Sequence, residues 1–325
     1  MSETLPLLEV EGLSKVFESR DGFHTKKIHA VSDVSFSMRR GQVTAIVGES
    51  GSGKSTVARL ISRLIAPTAG TMRFNGKAYE RRLSKRQLLD LRSDIQMVFQ
   101  DPFGSLNPSK TVGYHLIRPL FNYKKCRNNR EALDRALEML ESVGLTPATD
   151  YLDKYPHELS GGQLQRVVIA RALVVEPKII LADEPTSMLD VSIRMGVLNL
   201  MRNLQRDRGL ALLFITHDLA SARYLSDFLF VMYAGEMVEG GTADDVVTNP
   251  LHPYTRLLLS AVPDVARNSL LGGELAKGEP PDLSGSAPGC RFAPRCPIAM
   301  EVCSHKAPTP VKKESNHWAA CHAVE

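Results

Sequence analysis

Nine consecutive residues, GESGSGKST at 48–56, bring together the glycines, the lysine and the hydroxyls that a phosphate chain needs. Gly48, Gly53, Lys54 and Ser55 fit G-x-x-x-x-G-K-[ST], with an apolar strand before them and a helical pattern after. Gly48, Gly51 and Gly53, spaced by Glu49, Ser50 and Ser52, allow backbone N–H groups to curl around phosphate oxygens. The helix that starts near Thr56 adds partial positive charge. Lys54 is placed to reach β- and γ-phosphates, and the Ser55 hydroxyl to ligate Mg²⁺. Such a site needs a second oxygen ligand. Asp183, ending the apolar run IILAD, is placed to supply it, and Glu184 could orient or deprotonate an attacking water. A second anion-binding helix end follows from LSGGQLQR at 159–166: Ser160 as N-cap, Gly161 and Gly162 exposing N–H groups, and a helix from about 163 to 175.

A different chemistry is suggested by the tail. Cys290, Cys296, Cys303 and Cys321 crowd the last 40 residues, separated by five, six and seventeen residues, whereas Cys126 stands alone. In a reducing compartment such a group reads as a metal site rather than a disulfide framework. Four thiolates can hold tetrahedral zinc or an iron–sulfur cluster, and the close C-x2–4-C pairs usual for structural zinc are absent.

These residues need a scaffold. LLEVEGL (7–13) and VSDVSFSM (31–38) alternate at period two, as strands do. GQVTAIVG (41–48) is an apolar strand entering the glycine loop, and TVARLISRLIAP (56–67) repeats apolar residues at helical spacing. Residues 86–145 carry mostly helical patterns, including REALDRALEMLESVGL (130–145), whose Leu133, Leu137, Leu140 and Val143 share one face. IILADEP and LLFITHD read as buried strands, and FLFVMYAGEMVEGG (228–241) as strand, turn at Ala234-Gly235, strand. The fold class expected is α/β: a P-loop core with a mainly parallel sheet, an antiparallel β subdomain and a helical insertion over about 86–165. Proline and glycine cluster in 263–289, which places a boundary near 250, with 251–325 as a separate small unit.

Apolar residues make up 43% and charged residues 23%, which excludes a disordered chain. The net charge of +4 is too small to imply a nucleic-acid partner. No apolar run reaches the ~18–20 residues that span a bilayer, and MSETLPLLEVEG lacks the features of a signal peptide. The expected location is cytosolic, or on a membrane through a partner.

The octapeptide LSGGQLQR resembles the signature of ATP-binding cassette (ABC) proteins. The other elements match that family's order: the phosphate loop, VFQDP with Gln100, the signature, IILADEP, SMLD at 187–190, and THD with His217. Absence of spanning segments, a single cassette and no sustained heptads leave an importer ATPase whose permease is another polypeptide. QDPFGSLNP, YPHELSGGQ, NPLHPYTRLLLSAVP and GCRFAPRCPIAMEVC together resemble the oligopeptide/dipeptide importers, a subfamily with relatives for nickel and oligosaccharides. The resemblance implies ATP hydrolysis with Mg²⁺ held by Ser55, Gln100 and Asp183. It implies Glu184 as base and His217 as the residue contacting the γ-phosphate. Gln100 becomes the sensor coupling to the permease, Phe17 the aromatic under adenine (with Phe23 nearby), and Asp190 a residue of the dimer seam. Met188 stands where alanine is commoner. It further implies head-to-tail pairing with a second cassette, identical or paralogous, in which Ser160, Gly161, Gly162 and Gln163 cap the other subunit's nucleotide. Two transmembrane permeases, an extracytoplasmic substrate-binding protein, a peripheral place on the cytoplasmic face of the inner membrane, and a C-terminal [4Fe–4S] cluster at the four cysteines, with zinc as the alternative, complete the expectation. A soluble non-transport ABC ATPase is the competing reading.

Overall fold

The computed structural model describes residues 5–21, 24–261, 288–313 and 316–324. Phe23 and most of the loop expected at 263–289 lie outside them.

The N-terminal third is built from two long strands, β1 (Leu8–Asp21) and β2 (His24–Met38), paired antiparallel, with β4 (Ala69–Phe74) and β5 (Lys77–Tyr79) completing a sheet of order β2-β1-β4-β5. The two N-terminal runs read from the sequence are the better-patterned parts of these strands. Their charged extensions carry no alternation that would reveal them.

The second sheet holds the chemistry. Between β2 and β4 lie β3 (Val43–Val47) and α1 (Lys54–Ile61); α2 (Lys85–Asp94) leads into β6 (Ile95–Val98). Strands β7 (Ile179–Asp183), β8 (Ala211–Thr216), β9 (Phe228–Tyr233), β10 (Glu236–Thr242), β11 (Pro310–Lys312) and β12 (Trp318–Ala320) follow in sequence. The order is β11-β12-β10-β9-β3-β8-β7-β6, parallel from β9 through β6 and antiparallel beyond β9. Every residue of β3, β7 and β8 is buried, as expected of parallel strands covered on both faces. Alternate residues feed two cores. Val43, Ala45 and Val47 face the helices, whereas Ile46 faces α1 and the small sheet. Each fully buried Leu, Ile or Phe in these cores contributes about 1.5–3 kcal/mol relative to exposure.

The helical side contains α3 (Pro102–Ser105), α4 (Val112–Asn122), α5 (Asn129–Ser142), α6 (Thr149–Leu152) and α7 (Gly161–Leu173). The insertion expected from about 86 is interrupted: β6 is a strand of the parallel sheet, because its Ile95, Met97 and Val98 are buried beside β7. In α5 the buried face is Ala132, Ala136, Met139 and Leu140, with Val143 following, whereas Leu133 is 39% exposed. The helix packs against α4 and α7, where small alanines permit close approach.

After β7 come α8 (Val191–Arg208) and α9 (Leu219–Leu225), and after β10 come α10 (Ala243–Thr248) and α11 (Pro253–Ser260). The tail adds α12 (Glu301–His305). Its strand β12 pairs with β10, and Phe292, 1% exposed, belongs to the core of the helical side. The unit expected to stand apart from residue 251 onward is thus joined to the same sheet and the same core. Among the described residues no helix is long and apolar enough to cross a membrane.

Candidate active site

The loop between β3 and α1 is shaped by close backbone approaches. A Cβ on Gly48 would lie 2.1 Å from the Met232 carbonyl oxygen, so only glycine fits beside β9. Gly53 caps α1 at φ 105, a left-handed conformation, and a Cβ there would meet the Ala30 carbonyl oxygen at 2.3 Å. Lys54 begins α1 and is 3% exposed; its Nζ donates to the carbonyls of Gly48 and Glu49, both at 2.8 Å. Burial pushes the Lys54 ammonium downward from its ordinary pKa, and the carboxylates of Glu184, Asp183 and Glu49 oppose the shift.

The Ser55 hydroxyl donates to Asp183 Oδ1 at 2.7 Å. Asp183 ends β7 at 3% exposure. Burial raises its pKa, the Ser55 hydrogen bond lowers it, and the neighbouring Glu184 adds to the rise. Glu184 takes the unusual φ of 45, which turns its side chain out of the strand's line. Its Oε2 accepts from Gln100 Nε2 at 3.1 Å and lies 3.3 Å from His217 Nδ1. Glu184 and His217 are held at the ends of adjacent strands: β7 stops at Asp183 and β8 at Thr216. A hard divalent cation suits the oxygen pair of Ser55 and Asp183; Mg²⁺ there would balance phosphate charge beside Lys54.

These residues surround a cavity of about 710 Å³ lined by Gly48, Glu49, Ser50, Gly51, Gly53, Lys54, Ser55, Thr56, Gln100, Glu184 and His217. Ser52, 4% exposed, is buried behind the loop. Ile28, Ala30 and Leu258 supply an apolar wall; nothing in their types distinguishes them from core residues in a sequence. Phe17 is not part of the lining. It is 40% exposed, pairs in register with Ile28, and has Lys15 Nζ 5.0 Å from its ring centre.

The signature residues also lie elsewhere. Ser160 caps α7: its Oγ accepts from the Gln163 N–H at 3.3 Å, and Gln163 Oε1 accepts from the Ser160 N–H at 3.0 Å. Neither this helix end with Gly161 and Gly162 nor the exposed Asp190 lines the cavity.

The four cysteines of the tail differ in burial. Cys303 is buried, Cys290, Cys296 and Cys321 are half-buried, and all are free thiols. They are neighbours: the Cys290 N–H donates to the Cys303 carbonyl at 2.8 Å. Burial pushes the Cys290 and Cys296 thiols up, and the other cysteines add to the rise. Among the described residues, however, no three His, Cys, Asp or Glu side chains are gathered so as to hold a metal.

Sequence reasoning missed two residues that hold the loop from outside, Arg295 and Tyr254. Tyr254 sits in LHPYTR and Arg295 in APRCP, where the only chemistry that the sequence suggests is that of Cys296.

A strand–loop–helix phosphate cradle, an oxygen pair for a divalent cation and a carboxylate poised over the cavity define a P-loop nucleotide hydrolase. The profile of the ABC transporter family matches residues 31–187, and that of the oligopeptide/dipeptide transporter C-terminal region matches residues 238–303. The chain is 43% identical to the oligopeptide transport ATP-binding protein AppF of Bacillus subtilis, covering 97% of each chain. It is 44% identical to the oligopeptide transport ATP-binding protein OppF of Escherichia coli, covering 98% of this chain and 96% of that one. A dimeric structure of the bacterial ABC transporter cassette MJ0796 superposes with TM-score 0.64 at 31% identity, covering 73% of this chain and 98% of the cassette. The chain belongs to the ABC transporter ATPases.

Proposed function

We propose that this chain hydrolyses ATP to power peptide uptake, as the ATPase subunit of an importer whose permeases are separate polypeptides. The observation that carries this reading is likeness to AppF and OppF along nearly the whole chain, including the transporter C-terminal region. The chain would sit peripherally on the cytoplasmic face of the inner membrane, against two permease subunits supplied by an extracytoplasmic substrate-binding protein. Purification from membranes should bring down two multi-span permeases, and the reconstituted complex should raise its ATPase rate with peptide and binding protein. Stimulation by nickel or oligosaccharide instead would reassign the cargo. A chain that brings down no permease would be the soluble ATPase.

The partner at the nucleotide is proposed to be a second cassette, identical or paralogous. The α7 end would offer the Gly161 and Gly162 N–H groups to an anion, and it does not line the cavity of its own chain. Head-to-tail pairing would bring it, with Asp190, to the partner's phosphates. Within the site, Lys54 and the loop amides would bind the phosphates, and Ser55, Gln100 and Asp183 would hold Mg²⁺. Glu184 would take the proton of the attacking water, and His217 would contact the γ-phosphate. Phe17, beside Ile28 at the apolar wall, would stack on adenine. Phe17→Ala should then weaken ATP binding and leave the affinity for inorganic triphosphate unchanged.

In the tail, Cys290, Cys296, Cys303 and Cys321 would hold a [4Fe–4S] cluster, or zinc as the alternative. This reading is supported by their spacing and proximity, and it requires the thiols to draw together. Iron, sulfide and zinc analysis of anaerobically purified protein decides it; absence of all three removes the metal from the tail. Functionally, 1–250 would be the cassette, with its helical part about 86–165, and 251–325 the extension.

A further inference from the structure

We propose that Arg295 of the C-terminal extension, together with Tyr254, is a positioning residue of the phosphate loop, so that the extension sets the loop's affinity for nucleotide through Glu49. The proposal rests on nucleotide binding at the loop and not on the identity of the cargo.

Arg295 and Glu49 are 246 positions apart, yet they meet as a fork. Arg295 Nη1 lies 2.8 Å from Glu49 Oε2, and Nη2 lies 3.0 Å from Oε1. The two side chains are 10% and 31% exposed, so this is a partly buried, two-pronged pair rather than a surface contact that solvent screens. The same residue is held a second time through its backbone. The Glu49 N–H donates to the Tyr254 hydroxyl at 2.8 Å, and Tyr254 is fully buried. Glu49 also bears on the catalytic lysine, since its carbonyl accepts from Lys54 Nζ at 2.8 Å. One loop residue is therefore fixed at its N–H by α11, at its carboxylate by the tail and at its carbonyl by Lys54.

The anchoring groups are themselves locked. Phe292, three residues before Arg295, is wedged between Tyr233 and Tyr254, with ring centres 5.2 and 5.5 Å away. The Arg295 guanidinium lies 5.8 Å from the Tyr233 ring centre. A second tail arginine, Arg291, donates to the Ala234 carbonyl and pairs with Glu236 at 3.0 Å. It thereby clamps the turn whose Gly235 N–H donates to the Ser52 carbonyl at 2.8 Å. The extension thus grips the phosphate loop near both ends. A loop that is already ordered loses less freedom when a triphosphate enters, and that difference appears as affinity.

The test measures Mg·ATP binding and turnover in the full-length chain carrying Arg295→Met, Arg295→Lys, Glu49→Gln, and Arg295→Met with Glu49→Gln. Arg295→Met and Glu49→Gln should each raise Kd by about tenfold, the size of one lost ordering contribution. For Arg295→Met the kcat at saturating ATP should stay within about twofold, because the tail arginine lies outside the cavity lining. Arg295→Lys should fall between, since lysine keeps the charge and loses the fork. The double variant should be no weaker than either single variant. Hydrogen exchange should quicken at 48–53 in the folded variants. A Kd unchanged in Glu49→Gln, or single effects that multiply in the double variant, overturns the proposal. Should Arg295→Met fail to fold, the lysine and glutamine variants alone still decide it.

Discussion

Ser55 and Asp183 are 128 positions apart in sequence and share one hydrogen bond, hydroxyl to carboxylate, at 2.7 Å. That bond joins the first turn of α1 to the end of β7, with Ser55 in the cavity wall and Asp183 buried behind it. Asp183→Asn and Ser55→Ala should each raise the Mg²⁺ concentration needed for half-maximal hydrolysis by at least about tenfold, since even outer partners of a metal ligand cost that much. A magnesium titration of ATPase rate checks this. Unchanged requirements in both variants would move the metal elsewhere.

Glu184 lies within hydrogen-bonding range of Gln100 and close to His217, at 3.1 and 3.3 Å. Glu184→Gln keeps the side chain's shape and removes its basicity. Turnover should drop by about 10²–10⁴-fold, the usual contribution of a general base, with ATP binding retained. Single-turnover hydrolysis is the measurement. A loss under about tenfold, or ~1.4 kcal/mol in the barrier, would exclude Glu184 as the main base.

Ser160→Arg places a bulky cation at the α7 end, away from the chain's own cavity. ATP should still bind to the phosphate loop, but pairing of cassettes should fail. Sedimentation or light scattering with ATP in the Glu184→Gln background reads this directly. Equal dimerisation with and without the arginine would separate the signature from the partner's nucleotide.

His252 gives a pH test of the tail's attachment. It is 1% exposed, its Nδ1 accepts from the Tyr254 N–H at 3.0 Å, and burial lowers its pKa from 6.5 to about 4. The folded chain thus keeps His252 neutral where the unfolded chain takes up a proton. The stability contribution is present above the unfolded value of 6.5 and is lost as pH falls toward 4. The slope approaches ~1.4 kcal/mol per pH unit, for a total of about 3 kcal/mol. Urea unfolding of the wild type and His252→Asn, which retains a side-chain acceptor, should show the difference shrinking or reversing as pH drops through this window. Parallel curves would show that His252 does not titrate differently on folding.

The phosphate loop, the carboxylates after β7 and the strand–turn–strand at 228–241 were legible because each is local: the spacing of a few residues states the geometry. The long N-terminal strands were only half visible, since their outer ends carry charges on both faces. Strand β6 was hidden inside a helical stretch because four residues, Ile95–Val98, are too few to show a period. On α5 the face holding Leu137, Leu140 and Val143 does meet the core, but Leu133 is exposed, and contact with α4 and α7 selects Ala132 and Ala136 instead. The fork between Arg295 and Glu49 could not be read at all, because nothing local marks a contact across 246 positions.

Strand β12 also determines how the chain can be cut. It covers the outer edge of β10, pairing Glu239 with Ala319 and Gly240 with Trp318. Beneath that edge Glu239, fully buried, accepts from His317 Nε2 at 2.8 Å and from the Leu251 and His252 N–H groups. A chain shortened at 250 would bare a row of unpaired backbone groups flanked by apolar β9 and strand a carboxylate without its donors. Such a fragment should self-associate edge to edge and precipitate, so the minimal soluble cassette has to retain residues 317–320.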